Sequence, residues 1–195
     1  MRIQLVIYLL IGAMTFSCGD TKTPDTAIQA SPDSTHFFST TSFYEEQLNQ
    51  VKFFKKPIYY AIRMNDDTDS GTLSVESFIK YVDEFLQKDI SSPDRKKHYR
   101  ETVFQDAGTN SYTLSYTAVD KEMPVQGVDI LLDEQSNQVK RIFIRSFTTK
   151  GDTSIQERHN WYAFKSFQIN RTISIGKTIK EELTEVRWGN RSDGE

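Results

Sequence analysis

Ser111-Tyr112-Thr113-Leu114-Ser115-Tyr116-Thr117-Ala118-Val119 is the stretch whose reading decides the fold. Tyr112, Leu114, Tyr116 and Ala118 alternate with Thr113, Ser115 and Thr117, so the apolar period is 2 rather than 3.6. An extended strand turns that alternation into one dry face and one wet face. The same signal recurs downstream and just upstream, predicting strands over residues 100–105, 111–119, 125–132, 139–148, 154–162 and 167–175. Between them lie Ala107-Gly108-Thr109-Asn110, Asp133-Glu134-Gln135-Ser136-Asn137 and Lys150-Gly151-Asp152, all rich in turn formers. Connections this short pair neighbouring strands antiparallel, which makes a meander. In the last segment Ile179, Leu183 and Val186 fit a helix while Thr184, Val186 and Trp188 alternate; a closing strand after a turn at Gly176-Lys177 is the favoured reading.

Upstream of residue 99 the period lengthens. At Ser74 a helix is predicted over about 74–88, because Val75, Phe78, Ile79, Val82, Phe85 and Leu86 fall on one face with most of the charges off it. Ser92-Pro93 offers a cap followed by proline at the first helical position, predicting a short helix over about 93–98. An earlier helix, about 42–55, is predicted from the capping-box pattern Ser42-Phe43-Tyr44-Glu45 and the spacing of Tyr44, Leu48 and Val51, with Pro57 stopping it. Residues 58–64 form an apolar, β-prone run read as a strand, with a helical continuation as the alternative, followed by a polar loop over 65–71. The fold class expected is therefore α+β: N-terminal helices packed on an antiparallel β-meander of about six to seven strands, with strands from about 100 to 188.

The amino terminus follows a different logic. Arg2 precedes an uncharged, mostly apolar run over residues 5–16 and then Ser17-Cys18-Gly19-Asp20. A charged start, a short apolar middle and a small-residue end are the marks of an export signal. At about a dozen residues the apolar run falls short of the roughly 20 that span a bilayer. Cys18 is the single cysteine, so it closes no internal disulfide. The stretch Thr15-Phe16-Ser17-Cys18 resembles the lipobox of bacterial lipoproteins, although Thr15 stands where that family usually has leucine and Phe16 is bulky. With its polar following segment and aromatic-rich body, the chain is similar to uncharacterised lipoproteins of the Bacteroidota. The resemblance implies a signal peptide over 1–17, fatty acylation of Cys18, and export to the periplasmic face or outer membrane. It implies no activity.

Residues 18–36 are rich in Thr, Asp, Ser and Pro and poor in large apolar side chains, so they bury too little surface to offset the entropy of ordering. They read as a disordered tether ahead of a single domain over 37–195. That length suits one core, and an aromatic content of 12% supports a packed body. With 24 basic against 27 acidic residues the formal charge is −3, and removal of Arg2 takes it one further; nucleic acid is not an expected partner.

Candidate chemistry is sparse. Asp66, Asp67 and Asp69 stand in the densest acidic cluster, Asn65-Asp66-Asp67-Thr68-Asp69-Ser70-Gly71, a candidate calcium loop. With Gly71 at the sixth position of an EF-hand loop, Ser77 falls where a bidentate Glu is required. A solvated turn feeding a helix is the competing reading. His36, His98 and His159 are too isolated for a zinc site. His159 shares a strand face with Ile155, Glu157 and Trp161, so a Glu157–His159 hydrolase is a minor alternative. Arg171 lies on the same face as Phe167, Ile169, Ile173 and Ile175, where a charge needs a partner, a ligand anion or an escape to the sheet edge. It is the first choice for a ligand contact. No nucleotide, hydrolase-elbow or zinc-protease motif is present, and no cofactor is expected. These observations favour a non-enzymatic binding or structural module, held at the membrane by N-terminal lipid and engaging an envelope protein, peptide or other component. The alternative is a carrier of an apolar ligand in a cavity formed by a curved sheet.

Overall fold

The computed structural model describes residues 37–188. The elements run α1 (Thr40–Phe54), β1 (Ile58–Met64), β2 (Asp67–Leu73), α2 (Val75–Leu86) and α3 (Pro93–Lys96). There follow β3 (Tyr99–Asp106), β4 (Ser111–Ala118), β5 (Val125–Asp133), β6 (Val139–Lys150), β7 (Thr153–Tyr162), β8 (Ser166–Ile175) and β9 (Thr178–Trp188). All nine strands make one antiparallel sheet in the order β2-β1-β9-β8-β7-β6-β5-β4-β3. The meander from β3 to β9 has the expected connectivity, and the last segment is a strand. The sheet nevertheless exceeds six to seven strands, because β1 pairs with β9 and brings β2 with it; Ile58 faces Trp188 and Met64 faces Glu182. This β1–β2 hairpin precedes α2, so helices do not simply come first.

The extra strand is β2, where a polar loop over 65–71 was expected. Met64 pairs with Asp67 across a two-residue turn, with Asn65 in the left-handed region at φ 51°. Asn tolerates that conformation and the tight turn needs it. β2 is an edge strand and is almost wholly exposed, so it has no apolar alternation to read. Its Asp, Ser and Thr side chains suit an edge that must not pair with another chain.

Helices α1 and α2 cover one face of the sheet. On α2, Phe78, Val82 and Phe85 are buried, and the Ser74 hydroxyl accepts the Ser77 N–H at 3.2 Å as its cap. At the start of α1 the Ser42–Glu45 capping box is not used: the helix begins at Thr40, and Asp89, just beyond α2, supplies the cap instead. One Asp89 oxygen accepts the Thr40 N–H at 2.8 Å and the Thr40 hydroxyl at 2.7 Å. Lys55, left-handed at φ 49°, ends α1 by returning its N–H to the Val51 carbonyl, and Pro57 follows. Between helices and sheet lies an aromatic core. Trp161 sits at its centre, 4.8 Å from Phe85, 5.0 Å from Tyr44, 5.1 Å from Phe167 and 5.3 Å from Trp188, centroid to centroid. The side chain of Gln47, also fully buried, reaches across to accept the Phe164 N–H at 2.6 Å, tying α1 to the β7–β8 turn.

Candidate functional site

Two polar assemblies occupy opposite faces of the sheet. The first lies under the C-terminal half of α2. Arg171 on β8 has three carboxylate partners: Glu157 on β7 and Glu84 on α2 at 2.8 Å, and Glu182 on β9 at 2.9 Å. Register explains the convergence, because Glu157, Arg171 and Glu182 are direct cross-strand neighbours on the helix-covered face. Glu157 also accepts a bond from Lys88 Nζ at 2.7 Å and from the Ser146 hydroxyl at 3.1 Å. The apolar-face charge of Arg171 is thus neutralised inside the protein. Its guanidinium has its own carboxylates, and Arg171 is also among the residues that line the groove between β1 and β7.

Beside this network stands His159, fully buried, edge-on to Phe85 at 5.0 Å, with neither ring nitrogen hydrogen-bonded. Burial first, then the charge of Lys88, pushes the imidazole well below its ordinary pKa, only partly offset by Glu157. Burial opposes the charge on Glu157 too, but bonds from Lys88 and Arg171 outweigh it and hold the carboxyl below its usual range. The Glu157–His159 pair is therefore a carboxylate locked to two cations beside a neutral imidazole under a helix. Neither lines the groove on the opposite face.

Both shifts have the same sign. As pH falls below about 6.5, an unfolded histidine takes up a proton that buried His159 resists, so stability declines by up to about 1.4 kcal/mol per pH unit. Below about 4.5 the depressed Glu157 adds a second loss, because the unfolded carboxyl protonates first. Stability is thus complete above pH 6.5 and falls toward acid. Urea unfolding at pH 7.5 and 5.5 should show this decline in the wild type and a flatter profile in His159→Leu; equal slopes would refute the assignment.

Among the described residues, Glu84, Glu157 and His159 form the one trio of metal-type side chains whose donor atoms lie within 4.8 Å of one another. A divalent ion there would have to displace Lys88 and Arg171 from carboxylates they already neutralise. Asp66, Asp67 and Asp69 form no such trio. Asp66 is in the β1–β2 turn, Asp67 and Asp69 are in β2, and Asp69 accepts the Tyr60 hydroxyl at 3.1 Å. The calcium-type loop is replaced by a hairpin. Cys18 lies outside the described residues, as do the stretches expected to be a signal peptide and a tether; the first described residues dock on β4, where Phe37 packs on Tyr116 at 4.6 Å and the Phe38 N–H donates to the Tyr116 hydroxyl at 3.0 Å.

The second assembly was not apparent from sequence. On the sheet face that carries no helix, β1, β9, β8 and β7 border a groove of about 550 Å³ whose lining includes Arg63, Arg158, Asn170, Gln156, Thr172 and Glu181. Among the described residues neither Arg63 nor Arg158 makes an ion pair or a side-chain hydrogen bond. No protein-family model matches the chain, and no curated protein or solved structure is significantly similar to it. What the groove offers chemically is read from its residues: two cationic forks flanked by amides and a hydroxyl, with Glu181 its carboxylate on this face. Such a lining has the donors and charge to suit polar, anionic groups. The one sequence signal available was the alternation in β7 and β8, which places Arg158 and Asn170 on the wet face. Their meeting with Arg63 depends on β1 joining β9, which no local pattern shows.

Proposed function

We propose that the chain is a non-enzymatic, lipid-anchored module of the bacterial envelope that binds a partner through the uncovered face of its sheet. The observation that carries this reading is the groove between β1 and β7, with two exposed arginines left without internal partners on a protein of net charge −3. Two further features support it. The helix-covered face, where a carrier would need an apolar cavity of about 300 to 1,000 Å³, is packed with Tyr44, Phe78, Phe85 and Trp161. On that side the charges of Lys88, Glu157 and Arg171 are engaged with one another.

Anchoring rests on Cys18 and the short apolar run before it. No helix among the described residues is long and apolar enough to cross a membrane. Acyl chains would supply attachment at about 0.8 kcal/mol per buried CH2, enough for stable retention when two or three are present. Cys18→Ala should therefore move the protein from the membrane to the soluble fraction and abolish labelling by fatty acid; unlabelled wild type with membrane-bound Cys18→Ala would exclude the anchor. For the binding face, the test is chemical crosslinking in native envelopes followed by mass spectrometry. The wild type should enrich one envelope component, and Arg63→Glu/Arg158→Glu should lose it while keeping its melting temperature. Undiminished enrichment by that variant would place binding elsewhere.

A further inference from the structure

We propose that the open sheet face binds a linear acidic glycan, a sugar chain bearing carboxylates, laid across the strands. This rests on the open-face reading above and adds the chemistry of the ligand. Arg100 on β3, Arg145 on β6, Arg158 on β7 and Arg63 on β1 fall in one cross-strand row. The residues that join them in register, Thr117, Gly127, Asn170 and Leu183, carry no charge. Four like charges in line are not a product of composition, because the chain as a whole is acidic.

The row also costs the fold something. Arg145 stands directly opposite Arg158, and like charges at opposed positions destabilise a sheet. Among the described residues the one acid within 4.0 Å of any of the four is Asp129, at 3.8 Å from Arg145. Gly127 lets Arg145 lie flat across β5: a Cβ there would stand 2.5 Å from its guanidinium. An arrangement that repels itself and is exposed at all four positions is accounted for by an external anion.

Reach and lining define that anion. From Arg145 to Arg63 is four strand steps, roughly 19 Å at about 4.8 Å per step, beyond the span of one small anion. Guanidinium forks match carboxylates bidentately. Between and beside them, Asn170, Gln156, Thr172 and Asn65 present donors and acceptors together, the pattern that pairs with sugar hydroxyls. The row itself contains no aromatic ring, although Phe143 and Phe147 flank Arg145 on the same face; the acidic charge of the whole chain is what sets it apart from a nucleic-acid binder. Charge at intervals with hydroxyls between is the description of a polyuronate.

The test uses the full chain carrying Cys18→Ala, with polygalacturonate as the probe, dextran as the neutral polymer, and single-stranded DNA and phosphatidylglycerol vesicles as other polyanions, all at 0.15 M salt. Polygalacturonate is expected to bind, dextran not, and Arg145→Gln/Arg158→Gln to weaken binding at least tenfold with an unchanged melting temperature. Lys80→Gln, on the exposed surface of α2, should leave binding unaltered. The proposal is overturned if polygalacturonate fails to bind, if the arginine variant binds it as well as wild type, or if DNA or vesicles bind as tightly. Failure to bind polygalacturonate, with envelope crosslinking still lost in Arg63→Glu/Arg158→Glu, would sink the glycan and leave the open-face reading standing.

Discussion

Glu157→Ala should lower the unfolding free energy by about 3–5 kcal/mol, the cost typical of breaking a buried ion pair from one side. Glu157 is only 15% exposed, and it joins Lys88 to Arg171 through separate oxygens. Arg171 would keep Glu84 and Glu182. Lys88, at 17% exposure, would keep only the Ser146 hydroxyl, a neutral partner for a charge that has lost much of its water. The penalty therefore falls mainly on Lys88. Two comparisons isolate this cause in urea denaturation. Glu84→Ala removes a more exposed partner from an arginine that has two others and should cost below about 1 kcal/mol. Lys88→Met/Glu157→Met removes both charges and should lose less than Glu157→Ala alone. A double variant worse than the single would mean that packing, not the stranded cation, sets the cost.

Trp161→Ala should cost about as much by another route, about 3–5 kcal/mol, because the surrounding rings come from four elements and cannot all collapse into the space left. Tyr44 belongs to α1, Phe85 to α2, and Phe167 and Trp188 to β8 and β9, all within 5.3 Å of the indole centroid. A domain of this size has about 5–15 kcal/mol in total, so the variant should be near its unfolding threshold at 37 °C. Trp161→Phe keeps a ring against Phe85, and it removes an indole N–H that has no hydrogen-bond partner. It should cost clearly less than the alanine variant, as read from paired melting curves. Similar losses in both would show that the site collapses freely, against a closely packed interior.

How much of this was legible depends on whether the relevant forces are local. The strands of the meander could be read because each has a dry and a wet face, as Tyr112, Leu114 and Tyr116 show. The stripe on α2 was legible for the same reason. β2 could not be read, since an edge strand exposed on both faces has no reason to alternate. The cap of α1 was misread because the competing acceptor, Asp89, lies 49 residues from Thr40. Arg171 was recognisable as a charge in the wrong place, but its three glutamates come from α2, β7 and β9, and only the folded register brings them together. The arginine row was the least visible feature. It depends on every strand pairing from β3 to β1, and a one-residue slip anywhere would move its members to the other face.

The uncovered sheet face as the binding surface is tested most directly by placing a photoreactive amino acid in the groove, at Thr172, and on the surface of α2, at Lys80, and irradiating each in native envelopes. The groove position should capture a discrete partner and the helix position none. Capture from Lys80 with none from Thr172 would contradict the account.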